Sequence, residues 1–142
     1  MKLRKIKSAQ ETKQFAASFA KKLSGKRGVV IALSGDLGSG KTTFTQGFSK
    51  GLGIKEKIIS PTFVLMREHP LPNSNAKLYH LDLYRLEEGV DFNQLGLEEL
   101  FQDPKNFILI EWAERIEKIL PAHAIKIHIQ KVNTNERIIK IT

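Results

Sequence analysis

The sequence has no cysteine among its 142 residues, which excludes disulfides and thiolate metal sites. It has no apolar run near the roughly 20 residues needed to cross a bilayer. The basic opening Met1–Lys7 leads into polar Ser8–Lys13 rather than an apolar core, so a secretory signal is not expected. Repeats and low-complexity tracts are absent, and the length favours a single domain over residues 1–142. The composition, 41% hydrophobic and 27% charged, is that of a soluble globular protein. Beyond the first seven residues there is no dense basic run, although the formal net charge is +8. The lysines are scattered, as at Lys21-Lys22, Lys55, Lys57, Lys105, Lys118, Lys126 and Lys131. That pattern suits a solvated surface; attraction to RNA, DNA or an acidic partner is the second reading.

What is present begins with a glycine-rich turn. Gly35-Asp36-Leu37-Gly38-Ser39-Gly40-Lys41-Thr42 fits G-x-x-x-x-G-K-[ST] at every fixed position. Glycines let the backbone curl so that successive N–H groups face phosphate oxygens. A helix opening at Lys41 adds the positive end of its dipole. Lys41 supplies a mobile cation for the β- and γ-phosphates, and the Thr42 hydroxyl suits Mg2+, a hard ion. The context agrees with the motif. Gly28–Leu33 is a continuous apolar run suited to a buried strand, and Phe44, Phe48 and Leu52 form a helical stripe after the turn. A bare strand–turn–helix junction without ligand is the plainer alternative. A nucleotide site also favours the cytoplasm, where ATP is available.

The remaining elements predict an α/β fold, a P-loop NTPase-like mixed β-sheet sandwiched by helices. Ser8–Glu11 has the form of a capping box, opening a helix from about Ala9 to Leu23. Thr62–Met66 and Lys77–Tyr84 read as an antiparallel pair across the turn-rich Pro70–Asn75. The second strand alternates, with Tyr79, Leu81 and Leu83 on one side and His80, Asp82 and Tyr84 on the other. Leu95–Phe101 predicts a short helix and Phe107–Ile110 a buried strand. Ala113–Leu120 predicts a helix stopped by Pro121, and Ala124–Gln130 with Arg137–Thr142 a closing hairpin.

A P-loop site needs an acid near its metal. Phe107-Ile108-Leu109-Ile110-Glu111 has the shape of a Walker B strand with Glu111 at its carboxyl end. Asp82 is the second candidate, or else an exposed strand acid. Thr62 reads either as a switch residue sensing the γ-phosphate or as a strand former. Trp112, the only tryptophan, reads either as a core or rim aromatic or as a neighbour of the nucleotide. His69, His80, His123 and His128 lack metal-ligand spacing and read as structural or surface residues.

Among small P-loop proteins, the sequence lacks the Asn-Lys-x-Asp of a GTPase and the arginine-rich lid of a small-molecule kinase. Arg4, Arg27, Arg67, Arg85, Arg115 and Arg137 are far apart. An ATPase completed by a partner is favoured; a small-molecule P-loop kinase is the alternative, and a nucleotide-independent RNA-binding module a third.

Gly35–Phe44, Ser60-Pro61-Thr62-Phe63, His80–Leu86, Leu95-Gly96-Leu97 and Ile110-Glu111-Trp112 occur in this order. Together they resemble the TsaE (YjeE) family, the ATPase subunit of bacterial tRNA threonylcarbamoyladenosine synthesis. The resemblance runs from about Ser8 to the end. Ser39 stands where the family often has alanine, and Leu81 where it often has phenylalanine. The resemblance implies a complex with two other subunits, a transferase and its paralogue-like partner. That complex modifies the adenosine beside the anticodon of tRNAs reading codons that begin with A. ATP and Mg2+ are the implied cofactors, with hydrolysis supporting turnover and direct tRNA contact left open. Carried over, Gly35–Thr43 bind nucleotide, with Lys41 on phosphate and Thr42 and Glu111 on the metal. Thr62 and Asp82 belong to the nucleotide-responsive face, and Glu11 and Arg137 are adenine-side candidates. Glu11 keeps its capping role as an equal reading.

Overall fold

The computed structural model describes residues 1–59, 65–86 and 96–142. Seven strands form one mixed sheet in the order β1-β7-β6-β2-β5-β4-β3. They are β1 (Lys2–Ile6), β2 (Val29–Ser34), β3 (Met66–Pro70), β4 (Lys77–Asp82), β5 (Phe107–Glu111), β6 (Ile125–Lys131) and β7 (Arg137–Ile141). The helices are α1 (Ala9–Leu23), α2 (Lys41–Gly51) and α3 (Leu97–Gln102). The centre is parallel, β2 pairing with β5 and β6, and β4 with β5. The flanks are antiparallel, β3 on β4 and β1 on β7 on β6.

Strand alternation sorts side chains into two layers. Val29, Ile31 and Leu33 of β2 and Phe107 and Leu109 of β5 pack with Phe44 and Phe48 of α2 and Ala16 and Ala20 of α1. Val30, Ala32, Ile108 and Ile110 pack on the other face with Leu97 and Phe101 of α3 and Ala113 and Ile116. Both faces of the central strands are therefore buried, as parallel strands require. The expected mixed sheet between helical layers is observed.

Three details differ from expectation, and a fourth decides between two readings. β1 is a strand that the basic opening did not announce. Its first four residues are exposed, so it carries no apolar alternation and is held by backbone pairing to β7. Ala113–Ile119 is a 3-10 segment rather than an α-helix, broken at Ile116 (φ −126°, ψ 27°). The hairpin strands run Met66–Pro70 and Lys77–Asp82, so Pro70 belongs to β3 rather than to the turn and β4 ends two residues before Tyr84. His80, read as structural or surface, is structural: it is fully buried, on the face of β4 that it shares with the core residue Leu78.

Helix α1 opens as the sequence predicts. The Ser8 hydroxyl accepts from the Glu11 N–H at 3.1 Å. The Glu11 carboxylate accepts from the Lys7 N–H at 2.8 Å, one residue outside the usual capping-box position. Among the described residues, no helix is long and apolar enough to cross a membrane.

Candidate nucleotide-binding site

The sheet alternation builds the site. Glu111 shares parity with Phe107 and Leu109, so it points toward α2 from the end of β5. His80 and Asp82 share parity with Leu78, which packs in the same layer. In the parallel register Asp82 lies beside Glu111. Two acids from neighbouring strands thus meet at the carboxyl edge of the sheet, where α/β proteins hold ligands.

Between β2 and α2 the chain curls through Gly35–Gly40. Gly35 has φ +145°, and a Cβ there would lie 2.4 Å from the Ile129 carbonyl oxygen and 2.7 Å from Ser39 Oγ. Gly40, at φ +108°, is the N-cap of α2 and has no side-chain cap. Its carbonyl accepts the Phe44 N–H at 2.9 Å. The first N–H groups of α2 are thereby left for another acceptor, and the helix end favours an anion.

Lys41 is 5% exposed. Its ammonium donates to the carbonyls of Gly35 (2.6 Å) and Asp36 (2.9 Å) and to Ser39 Oγ (3.3 Å). It also sits 4.0 Å from the Trp112 ring centroid, a cation–π contact. Trp112 adopts φ +60°, a left-handed conformation that costs a bulky residue about 1–3 kcal/mol. Its ring also packs on Tyr84, centroids 4.9 Å apart. The strained backbone turns the chain sharply after β5 and leaves the indole against the lysine.

Burial pushes the Lys41 pKa below its ordinary 10.5, and the carboxylates of Glu114, Glu111, Asp82 and Asp36 oppose that shift. A bound polyphosphate would hold the ammonium charged, so the complex has the higher pKa. Affinity is then complete below the free-protein pKa and falls as pH rises through it, with proton uptake on binding. Metal-free ADP titrations between about pH 7 and about pH 10 check this. Flat affinity with no proton uptake would contradict it.

Thr42 Oγ1 donates to Glu111 Oε1 at 2.8 Å. Thr45, one turn along α2, reaches Glu111 Oε2 at 3.4 Å, and His80 Nε2 lies 2.5 Å from that same oxygen. Glu111 is 2% exposed. A hydroxyl and a carboxylate, both oxygen donors, suit a hard divalent cation. Among the described residues no group of three His, Cys, Asp or Glu can hold a metal. A cation here would therefore draw further ligands from phosphate oxygens and water, the usual habit of Mg2+.

A cavity of about 790 Å3 opens over the loop, lined by Leu37–Thr43 together with Asp82, Glu111 and Arg137. Gly35 and Asp36 form the stem of the loop behind it and hold Lys41 by their carbonyls. Arg137 is drawn to the loop itself, Nε to the Ser39 carbonyl at 2.9 Å and a terminal nitrogen to the Gly38 carbonyl at 3.1 Å. It braces the curl from the β6–β7 hairpin. Glu11 is not brought to this cavity; it borders a separate groove beside β1 and serves the helix cap. Thr62, with Ser60, Pro61 and Phe63, lies outside the described residues, as does Leu95.

Sequence reasoning missed His80 and Thr45 as partners of Glu111. Two signals could have found them. His80 stands two residues before Asp82 on one strand, and Thr45 three residues after Thr42 on one helix, so each shares a face with a recognised site residue.

Comparison with known proteins identifies the family. Residues 6–139 match the family described as "Threonylcarbamoyl adenosine biosynthesis protein TsaE". The tRNA threonylcarbamoyladenosine biosynthesis protein TsaE of Bacillus subtilis (strain 168) is 43% identical over 136 residues, covering 94% of this chain and 80% of that protein. The protein of the same name from Rickettsia bellii (strain RML369-C) is 39% identical, covering 96% and 92%. The crystal structure of Bacillus subtilis YdiB superposes with a TM-score of 0.79 at 36% identity, over 99% of this chain and 83% of that one. A loop, a lysine and a paired threonine and glutamate in a fold shared with those proteins, and a match along nearly the whole sequence, place the chain in the TsaE family.

Proposed function

We propose that this chain is the ATP-binding subunit of the machinery that forms threonylcarbamoyladenosine on tRNA. In that reading it works with a transferase and the transferase's paralogue-like partner. The observation that carries the nucleotide site is the convergence of Lys41, Thr42 and Glu111 on one loop mouth. The pathway rests on the family match.

In this reading the loop N–H groups bind the phosphates. Lys41 leaves the Gly35 and Asp36 carbonyls and turns its ammonium to the β- and γ-phosphates. Thr42 and Glu111 hold Mg2+, which neutralises charge on the phosphate oxygens. Asp82 faces the same end of the site. Arg137 keeps the loop curled and is occupied by loop carbonyls. That commitment supports slow hydrolysis by the isolated chain, because an arginine supplied to the transferring phosphoryl group accelerates P-loop enzymes by about a thousandfold or more. The partner would then set the rate, and the site is cytoplasmic, where ATP and tRNA meet.

Glu111→Gln tests the metal role. Its amide keeps the shape but removes the charge. Nucleotide binding without metal should be retained, while Mg2+-dependent phosphate release falls by about a hundredfold or more. Unimpaired hydrolysis would remove Glu111 from the site. Pull-downs from cell extract in ATP and in ADP test the partnership. Nucleotide-dependent recovery of the transferase and its partner is expected. Rapid ADP formation with a small acceptor and no partner would instead indicate a kinase.

A further inference from the structure

The imidazole of His80 is fully buried on β4, on the face shared with Leu78 and Asp82. A residue there for packing alone would be apolar, as Leu78 is. A buried polar atom without a partner costs about 1–3 kcal/mol, and His80 Nδ1 has no hydrogen-bond partner among the described residues. The other ring nitrogen explains the residue. Nε2 lies 2.5 Å from Glu111 Oε2. A carboxylate only accepts, so Nε2 carries the proton and donates it. Thr45 approaches the same oxygen more loosely, at 3.4 Å. The opposite oxygen, Oε1, is the one Thr42 meets at 2.8 Å.

We propose that His80 is a positioning residue for the metal site: its Nε2–H fixes the Glu111 carboxylate plane so that Oε1 is presented beside the Thr42 hydroxyl. This rests on the reading of Thr42 and Glu111 as the Mg2+ ligands. A glutamate at a strand end has three rotatable torsions, and the bond from His80 selects one setting before any cation arrives. Groups that orient metal-ligating side chains are worth about 10- to 100-fold in metal affinity.

The test uses the full chain with ADP and MnCl2, free Mn2+ being followed by electron paramagnetic resonance. Two polar replacements separate donor position from packing. His80→Gln can place its amide N–H near the position of Nε2. His80→Asn falls short of Oε2. With folding confirmed by melting curves, His80→Asn should weaken Mn2+ binding by about 10- to 100-fold while His80→Gln stays within about threefold of the parent protein. ADP affinity in EDTA should be unchanged in both, which a general loss of structure would not allow. In a Glu111→Gln background, His80→Asn should cause no further loss of Mn2+ affinity.

Parent-like Mn2+ binding by His80→Asn overturns the inference, and so does a loss in His80→Gln as large as that in His80→Asn. If the parent protein itself binds Mn2+ no better with ADP than without, the reading of the metal site fails, and the inference with it.

Discussion

Lys41→Ala is expected to weaken ADP and ATP binding by roughly ten- to 150-fold. A charge-assisted hydrogen bond to phosphate contributes about 1.5–3 kcal/mol, and Lys41 is the cation built into the loop. The free protein already shows what the ammonium prefers. It gathers oxygen acceptors from Gly35, Asp36 and Ser39, with the Trp112 ring against it. Phosphate oxygens would replace those acceptors with charged ones. Truncation also leaves the Gly35 carbonyl without its 2.6 Å donor, so the loop itself should relax. Calorimetric titration checks the binding loss. Lys41→Arg should recover little of it, because a planar guanidinium does not fit the space of a compact ammonium. Affinity within about twofold of the parent protein in Lys41→Ala would remove the lysine from the phosphate site.

Gly47→Ala is expected to lower stability by about 2–3 kcal/mol, despite the gain of about 1 kcal/mol in helix propensity that alanine brings. Helices α1 and α2 touch through their backbones at this point. A Cβ on Gly47 would lie 2.4 Å from the Lys13 carbonyl oxygen and 2.7 Å from Lys13 Cα. One turn on, a Cβ on Gly51 would lie 2.4 Å from the Ala17 carbonyl oxygen. Backbone cannot swing aside as a side-chain tip can, so α1 must move away from α2. For a chain of this length the loss corresponds to a fall in melting temperature of about 7–10 °C. The Phe15–Phe44 and Phe19–Phe48 contacts between the two helices would open with it. Thermal unfolding followed by circular dichroism measures the effect. An unchanged melting temperature would show that the helices separate freely and that the close approach is not needed. Because the loop runs directly into α2, nucleotide affinity should fall along with stability.

Much of this was legible in the sequence, for a physical reason. The loop requires glycines at fixed places, and an apolar run ending in an acid has few uses outside a buried strand at a site. Gly35–Thr42 and Phe107–Glu111 therefore stood out. β1 did not, because Lys2, Leu3, Arg4 and Lys5 are exposed and its pairing is made by main-chain atoms. Lysines on an edge strand also discourage pairing with other chains. The kink at Ile116 is likewise a matter of backbone angles that propensity does not reveal. His80 and Asp82 each keep two readings in the sequence because alternation tells two faces apart without saying what covers each. Arg137, an adenine-side candidate in the sequence, has its guanidinium on the Gly38 and Ser39 carbonyls, a contact that spacing along the chain does not reveal. Glu11 illustrates the reverse: a carboxylate with two readings, which the structure places on the Lys7 N–H.

The most direct measurement is a crystal structure of the chain with Mg2+ and ADP. The phosphates are predicted to lie inside the Gly35–Thr42 curl, with Lys41 Nζ turned onto them and the metal between Thr42 and the Glu111 side. Nucleotide bound elsewhere, with Lys41 still on the Gly35 and Asp36 carbonyls, would contradict the account.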